Sequence, residues 1–165
     1  MKYVGISHFH ADHTGQLDTV QGATLLIGQK EWDAITAPKP MAGANVAGFT
    51  HWISGGGKVE PQPADKDVFG DGTVVILRTP GHTPGHQSLY LKLANTGNVL
   101  LSGDLYHYPE ELTLKKVPTT DPDREQTARS REKIEEFAKA NRAQLWIQYD
   151  YTAGIERKIA PAFYD

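Results

Sequence analysis

Short apolar segments separated by turn-forming residues run through most of the chain. Segments rich in Val, Ile, Leu and Tyr are typical of buried or half-buried strands, whereas Gly, Pro and Asn mark the turns between them. The pattern predicts strands at 3–6, 23–28, 73–78, 87–93, 98–102 and 144–148. The turn at 95–97 would join two of these strands as a hairpin.

Helical patterns are fewer, and one of them is long. We expect a short helix at 14–20 and a helical turn at 29–35, around Trp32. Residues 37–58 contain prolines and glycines without a sustained period, which predicts a long surface loop. Asp121 followed by Pro122 resembles an N-cap and a first helical residue, so a helix is predicted from there to about Asn141. Its expected buried face is Ala128, Ile134, Phe137 and Ala138.

Strands occur both as hairpin neighbours and in alternation with helices, which favours a layered α/β fold. A length of 165 residues without repeats or linkers predicts one domain over 1–165. The net charge of −3 gives no reason to expect a nucleic-acid partner. No apolar run approaches the length of a membrane span, and no secretory signal opens the chain, so we expect a cytoplasmic location and no membrane partner. The absence of cysteine excludes disulfides and thiolate ligands.

Histidines provide the candidate chemistry. The segment His8-Phe9-His10-Ala11-Asp12-His13 places four potential ligands at the end of the first predicted strand. Residues two apart on an extended segment project to the same side, so His8 and His10 can converge on one ion. Asp12 and His13 follow after the strand ends and can face a second ion. Imidazole and carboxylate groups suit zinc and similar divalent ions.

Two further strand ends carry polar residues of the same kind. The segment Thr79-Pro80-Gly81-His82-Thr83-Pro84-Gly85-His86 follows the strand at 73–78, and its Pro-Gly pairs predict a rigid turn. His82 can be a third imidazole for the first ion. His86 is either another ligand or, as we favour, a residue that fixes the turn through hydrogen bonds to the backbone. Asp104 follows the end of the strand at 98–102, and its two oxygens can serve two cations.

The order HFHADH, TPGHTPGH and SGD resembles the metallo-β-lactamase-fold hydrolase superfamily over about residues 3–150. Within it, the stretches DVFGDGTVVILRTPGHTPGHQSLYL and VLLSGDLYH are similar to the N-acyl homoserine lactonase-like group. The resemblance implies an αββα sandwich with a dinuclear metal site at one edge. It also implies a small-molecule acyl substrate, with a lactone favoured over a β-lactam.

The resemblance also implies roles for individual residues. His8, His10 and His82 would hold the first ion, Asp12 and His13 the second, and Asp104 would bridge them. Zinc is the expected metal, with one or two ions per chain, and manganese, iron and cobalt suit the same ligands. A hydroxide between the ions would be the nucleophile, because a bound cation lowers the pKa of water to roughly 7.

The chain departs from the family pattern at two places. The family usually has one more ligand histidine, followed by aspartate, on its last strand, where this chain has Tyr149. A neutral phenol is a poor zinc ligand, so a weakened second site is expected. Family members also have several strands ahead of HxHxDH. We therefore expect a sandwich shortened on its N-terminal side, with an exposed sheet edge that a homo-oligomer would cover.

Residues that contact the substrate are less constrained by the pattern. Lactonases of this group often have a tyrosine three positions after the bridging aspartate, where this chain has His107, between Tyr106 and Tyr108. The expected catalytic residues are Asp12, Asp104, Tyr106 and His107. Met41, Phe49 and Trp52 either line an apolar pocket or simply pack the loop onto the domain. The alternative to a hydrolase is a metal-binding domain with little or no catalysis.

Overall fold

Two β-sheets and six α-helices form the protein in the computed structural model, which describes residues 1–165. The strands are β1 (Tyr3–Gly5), β2 (Thr24–Gly28), β3 (Val59–Gln62), β4 (Lys66–Asp67), β5 (Val74–Arg78), β6 (Gln87–Leu93), β7 (Gly97–Leu101) and β8 (Gln144–Trp146). The helices are α1 (Ala11–Thr14), α2 (Gln29–Thr36), α3 (Thr50–Ile53), α4 (Pro109–Leu114), α5 (Arg124–Ala140) and α6 (Tyr151–Glu156). None of them is long and apolar enough to cross a membrane.

The strand directions bring several strand ends together. The first sheet has the order β1-β2-β3 and is parallel. The second sheet has the order β4-β5-β6-β7-β8, in which β6 is antiparallel to both β5 and β7, while β8 is parallel to β7. Strands β5, β7 and β8 therefore point the same way, and the segments that follow them leave from one end of this sheet.

Side chains along each strand point alternately to its two faces, so each sheet has an outer and an inner face. In β2, Leu25 and Ile27 pack with Ile35 of α2 and Trp52 of α3 in a first core. In the second sheet, the outward residues Leu77, Tyr90 and Leu100 pack with Ile134 of α5 in a second core. The inward residues of both sheets, among them Leu26, Ile76, Leu89 and Leu101, line a shared cavity of about 490 Å³. The layer order is therefore helix, sheet, sheet, helix.

The segment from 11 to 58 has more structure than its pattern predicts. The helix expected at 14–20 is wrong in its bounds, because α1 covers Ala11–Thr14 and a separate 3₁₀ turn covers Leu17–Val20. The expected loop at 37–58 contains a second 3₁₀ turn, at Val46–Phe49, and helix α3. Strand β3 was also not predicted, since its sequence VEPQ has neither an apolar run nor a strict alternation.

Helix α5 begins later than predicted, and its N-cap is Asp123 rather than Asp121. The Asp123 side chain accepts a hydrogen bond from the backbone N–H of Gln126. Asp121 is buried and bonds His82 and Thr127 instead. The buried face of α5 is also more polar than predicted, because Thr127, Ser130 and Arg131 are buried alongside Ile134.

Candidate metal centre

Three loops that follow strand ends bring the predicted ligands into one cluster. The segment after β1 carries His8 to His13, the β5–β6 connection carries His82, and the 3₁₀ turn Gly103–Leu105 after β7 carries Asp104. The donor atoms of His8, His10, His82 and Asp104 all lie within 4.8 Å of one another. Those of Asp12, His13 and Asp104 form a second group within the same limit. All six predicted ligands are therefore in the cluster.

The first group has the geometry of a metal-binding set. His10 Nδ1 lies 2.9 Å from His8 Nε2 and 3.2 Å from His82 Nε2. Asp104 Oδ2 lies 3.5 Å from His82 Nε2 and 3.8 Å from His8 Nε2. Ligands of a tetrahedral zinc ion with bonds of about 2.0–2.1 Å are about 3.3 Å apart, so these separations fit a zinc site. His8 is fully buried, and burial lowers its pKa far below the usual value, which keeps the imidazole neutral as a ligand must be.

Asp104 faces both groups with different oxygens. Its Oδ2 is directed at His8 and His82, whereas its Oδ1 lies 3.0 Å from His13 Nε2. Burial acts to raise the pKa of this carboxyl, but the neighbouring imidazoles of His107 and His13 outweigh that effect and lower it. The side chain is therefore an anion shared by the two groups, as a bridging ligand would be.

The second group contains Tyr149 in addition to its predicted members. The Tyr149 hydroxyl donates to Asp12 Oδ2 and lies 3.0 Å from His13 Nε2. Burial and the hydrogen bond to Asp12 raise the pKa of the phenol, so it stays protonated at neutral pH. Asp12 and His13 fit a metal by donor type, but a neutral hydroxyl already occupies a hydrogen-bonding position on each. The two groups thus differ in how freely they can accept an ion.

A layer of buried side chains behind the ligands was only partly predicted. His86 bonds the carbonyl of Thr79 through Nδ1 at 3.0 Å, and its Nε2 accepts from the backbone N–H of Asp104 at 3.0 Å. Burial lowers its pKa to about 3. His86 thus fixes the turn, as favoured from the sequence. Asp121 contacts His82 Nδ1 at 3.1 Å, a role that sequence reasoning missed, because Asp-Pro before a helical pattern also indicates an N-cap.

Of Tyr106, His107 and Tyr108, only His107 approaches the cluster. Its Nε2 lies 3.6 Å from Asp104 Oδ2, and its Nδ1 lies 3.5 Å from Glu111 Oε1. The structure contradicts the expected catalytic position of Tyr106: its ring is fully buried in the second core and its hydroxyl donates to Glu135. The physical reason is that residue 106 follows the 3₁₀ turn in an extended conformation and points inward between α5 and the sheet.

The residues considered for an apolar pocket in the loop at 37–58 pack into the first core instead. Phe49 is fully buried, Trp52 is 3% exposed, and Met41 packs against the same cluster. These residues therefore pack the loop onto the domain and do not line an apolar pocket. The apolar cavity that the structure does contain lies between the sheets and reaches the cluster at His13.

The fold and this arrangement of ligands agree with one family of proteins. The sequence profile described as the Metallo-beta-lactamase superfamily matches residues 2–142, so the chain belongs to that superfamily. The expected αββα sandwich is thereby confirmed.

Two relatives of this chain within the superfamily are N-acyl homoserine lactonases. N-acyl homoserine lactonase AttM of Rhizobium radiobacter is 31% identical over 179 aligned positions, which cover 99% of this chain and 64% of AttM. N-acyl homoserine lactonase AiiA of Bacillus thuringiensis subsp. kurstaki is 25% identical over 161 positions, which cover 98% of this chain and 60% of AiiA. The chain thus spans less than two thirds of the length of either relative.

Solved structures lead to the same group. An N-acyl homoserine lactone hydrolase with the product N-hexanoyl-L-homoserine bound at its catalytic metal center aligns with a TM-score of 0.82 at 25% identity, covering 100% of this chain and 62% of that one. A Bacillus thuringiensis AiiA mutant with N-decanoyl-L-homoserine bound at the active site aligns with a TM-score of 0.81, also at 25% identity.

Proposed function

We propose that this chain is a metal-dependent hydrolase that opens the ring of N-acyl homoserine lactones. The observation that carries the proposal is the convergence of three imidazole nitrogens and one carboxylate oxygen on a common point. Its lactonase relatives supply the substrate class.

The first ion would be zinc held by His8, His10, His82 and Asp104. Asp12, His13 and Asp104 would hold a second ion. When bound, zinc would lower the pKa of water to roughly 7 and polarise the substrate carbonyl. Manganese, iron and cobalt suit the same donor set.

A side chain of this protein would hold and donate the proton that the reaction needs. The carboxylate of Asp104, 3.6 Å from His107 Nε2, raises the pKa of the His107 imidazole. A proton is therefore retained on the imidazole at higher pH than usual, with Glu111 on its other side. From this position His107 Nε2 would donate to the ring oxygen that is released when the lactone opens.

The test is hydrolysis of N-acyl homoserine lactones by zinc-loaded protein, compared between His10→Ala and His51→Ala. His51 is the matched control, since it is a histidine of this chain outside the cluster. We expect His10→Ala to lose bound zinc and to lower kcat/KM by about 100-fold or more, with His51→Ala unchanged. Zinc-loaded parent protein that hydrolyses no lactone would overturn the proposed activity.

One observation favours a second candidate, a metal-binding domain with little catalysis. The Tyr149 hydroxyl bonds two of the three residues of the second group. If two ions are needed for turnover, the chain would bind one ion firmly and hydrolyse slowly. Metal content per chain, measured on protein purified without added metal, separates the candidates: two ions support the dinuclear hydrolase, and one ion without activity supports the binding domain.

A further inference from the structure

Glu31 is a buried carboxylate that belongs to neither group of proposed ligands. It lies in the first turn of α2 and is 0% exposed. Placing a carboxylate in a protein interior is costly unless its oxygens are hydrogen-bonded. Both oxygens of Glu31 are bonded, and both partners are backbone N–H groups of loops far away in sequence.

The two partners lie in the two loops that carry the imidazoles. Glu31 Oε1 accepts from the N–H of Phe9 at 2.8 Å, and Phe9 stands between His8 and His10. Glu31 Oε2 accepts from the N–H of Gly85 at 2.8 Å, three residues after His82. A single rigid group therefore connects the backbones on which three of the four residues of the first group are mounted.

The segments that Glu31 connects are also closely packed. A Cβ atom added to Gly85 would lie 2.2 Å from the Glu31 backbone nitrogen, and one added to Gly28 would lie 2.0 Å from the Gly85 carbonyl oxygen. The β2–α2 junction and the β5–β6 connection thus touch through their backbones. The β5–β6 connection is therefore packed directly on the start of α2, and the Glu31 carboxylate links this packed pair to the loop that carries His8 and His10.

We propose that Glu31 is a positioning residue that sets the zinc affinity of the His8, His10 and His82 group by fixing the distance between the two loops. The inference rests on the proposed metal centre and extends it to a residue on a helix that carries no ligand. Outer groups that orient ligands change metal affinity by about 10–100-fold when they are lost.

The variant that tests the inference is Glu31→Gln, which keeps the shape of the side chain but replaces one acceptor oxygen with an NH₂ group. That group would face a backbone N–H, so one of the two connections is lost. Glu31→Asp is a second variant, which keeps the charge but is too short to reach both loops. Asp33→Asn is the matched control, because it makes the same carboxyl-to-amide change on an exposed position of the same helix. Ile134→Val controls for lost stability, since it loosens the second core.

The measurement is the zinc dissociation constant, obtained by competition with a chromophoric chelator on protein shown to be folded by circular dichroism. We expect Glu31→Gln and Glu31→Asp to bind zinc about tenfold more weakly or worse, and Asp33→Asn and Ile134→Val to stay within about twofold of the parent. If Glu31→Gln does not fold, Glu31→Asp decides.

The outcomes separate the inference from the proposed function. Folded Glu31 variants that bind zinc as the parent does would overturn the positioning role and leave the metal centre intact. A parent that binds no zinc would overturn both. Lactone hydrolysis does not enter the measurement, so a failed substrate assignment leaves the result interpretable.

Discussion

Asp121 contacts His82 on the side of the imidazole that faces away from the other proposed ligands. Its Oδ1 lies 3.1 Å from His82 Nδ1, and its Oδ2 accepts a hydrogen bond from Thr127 Oγ1 at 2.8 Å. This contact directs the Nε2 lone pair of His82 into the cluster, because the proton is kept on Nδ1.

We predict that Asp121→Ala weakens zinc binding by about 10–100-fold, measured by chelator competition. Asp123→Ala is the control: it removes the N-cap of α5 and costs about 1 kcal/mol of stability, but leaves zinc affinity unchanged. Equal zinc affinities for the two variants would contradict this prediction.

Tyr149 gives a prediction about the number of ions. Replacing it with histidine exchanges a protonated hydroxyl for a neutral imidazole beside Asp12 and His13. We expect Tyr149→His to bind the second zinc ion more tightly, so that protein purified without added metal carries more zinc per chain than the parent, since imidazole is a good zinc ligand. Elemental analysis checks this, and Tyr149→Phe is the control that removes the hydroxyl without adding a ligand. A content that is the same in all three proteins argues against the tyrosine as the limiting feature.

The contact between strand β2 and the β5–β6 connection can be tested separately from metal binding. Gly28 ends β2, where an added Cβ would lie 2.0 Å from a carbonyl oxygen. We expect Gly28→Ala to lower the free energy of unfolding by about 1–3 kcal/mol through overpacking, as measured by urea denaturation. Gly154→Ala in α6 meets nothing within 4 Å, so it should be neutral or stabilising by up to about 1 kcal/mol. Similar losses in the two variants would refute the close-contact explanation.

The two sheets leave an apolar surface between them that is open on one side. The cavity of about 490 Å³ includes Phe69, which is 59% exposed, and Tyr3 of β1, a strand with a single neighbour. Open strand edges and exposed apolar patches favour association. We predict that the chain self-associates as its concentration rises and that Phe69→Glu shifts it toward monomer, both measured by sedimentation velocity. A parent that stays monomeric at high concentration would exclude this.

Much of the candidate centre was predictable because its ligands belong to compact motifs. HxHxDH, the histidine after Pro-Gly, and the aspartate after an apolar strand each stand at a strand end, and strand ends of one direction meet at one end of a sheet. For that reason His8, His10, Asp12, His13, His82 and Asp104 could all be proposed as ligands from the sequence, and the resemblance that these motifs carry added the αββα class.

The residues that were missed or misplaced depend on contacts across long stretches of chain. The sequence around Asp121 is compatible with an N-cap, and only the approach of His82, 39 residues away, gives it another role. Tyr106 and His107 are adjacent, and the turn after β7 decides which of them faces the cluster. Phe49 and Trp52 lie in a segment without a period, yet the first core buries both.

The amino-acid sequence alone therefore determined the types and order of the candidate ligands and the layered class, since these follow from local spacing and strand periodicity. Only the tertiary structure decided three contacts. Asp121 lies against His82, Glu31 joins the two histidine loops, and the Tyr149 hydroxyl bonds Asp12 and His13. These features arise from distances between segments remote in sequence, which depend on how the two sheets pack.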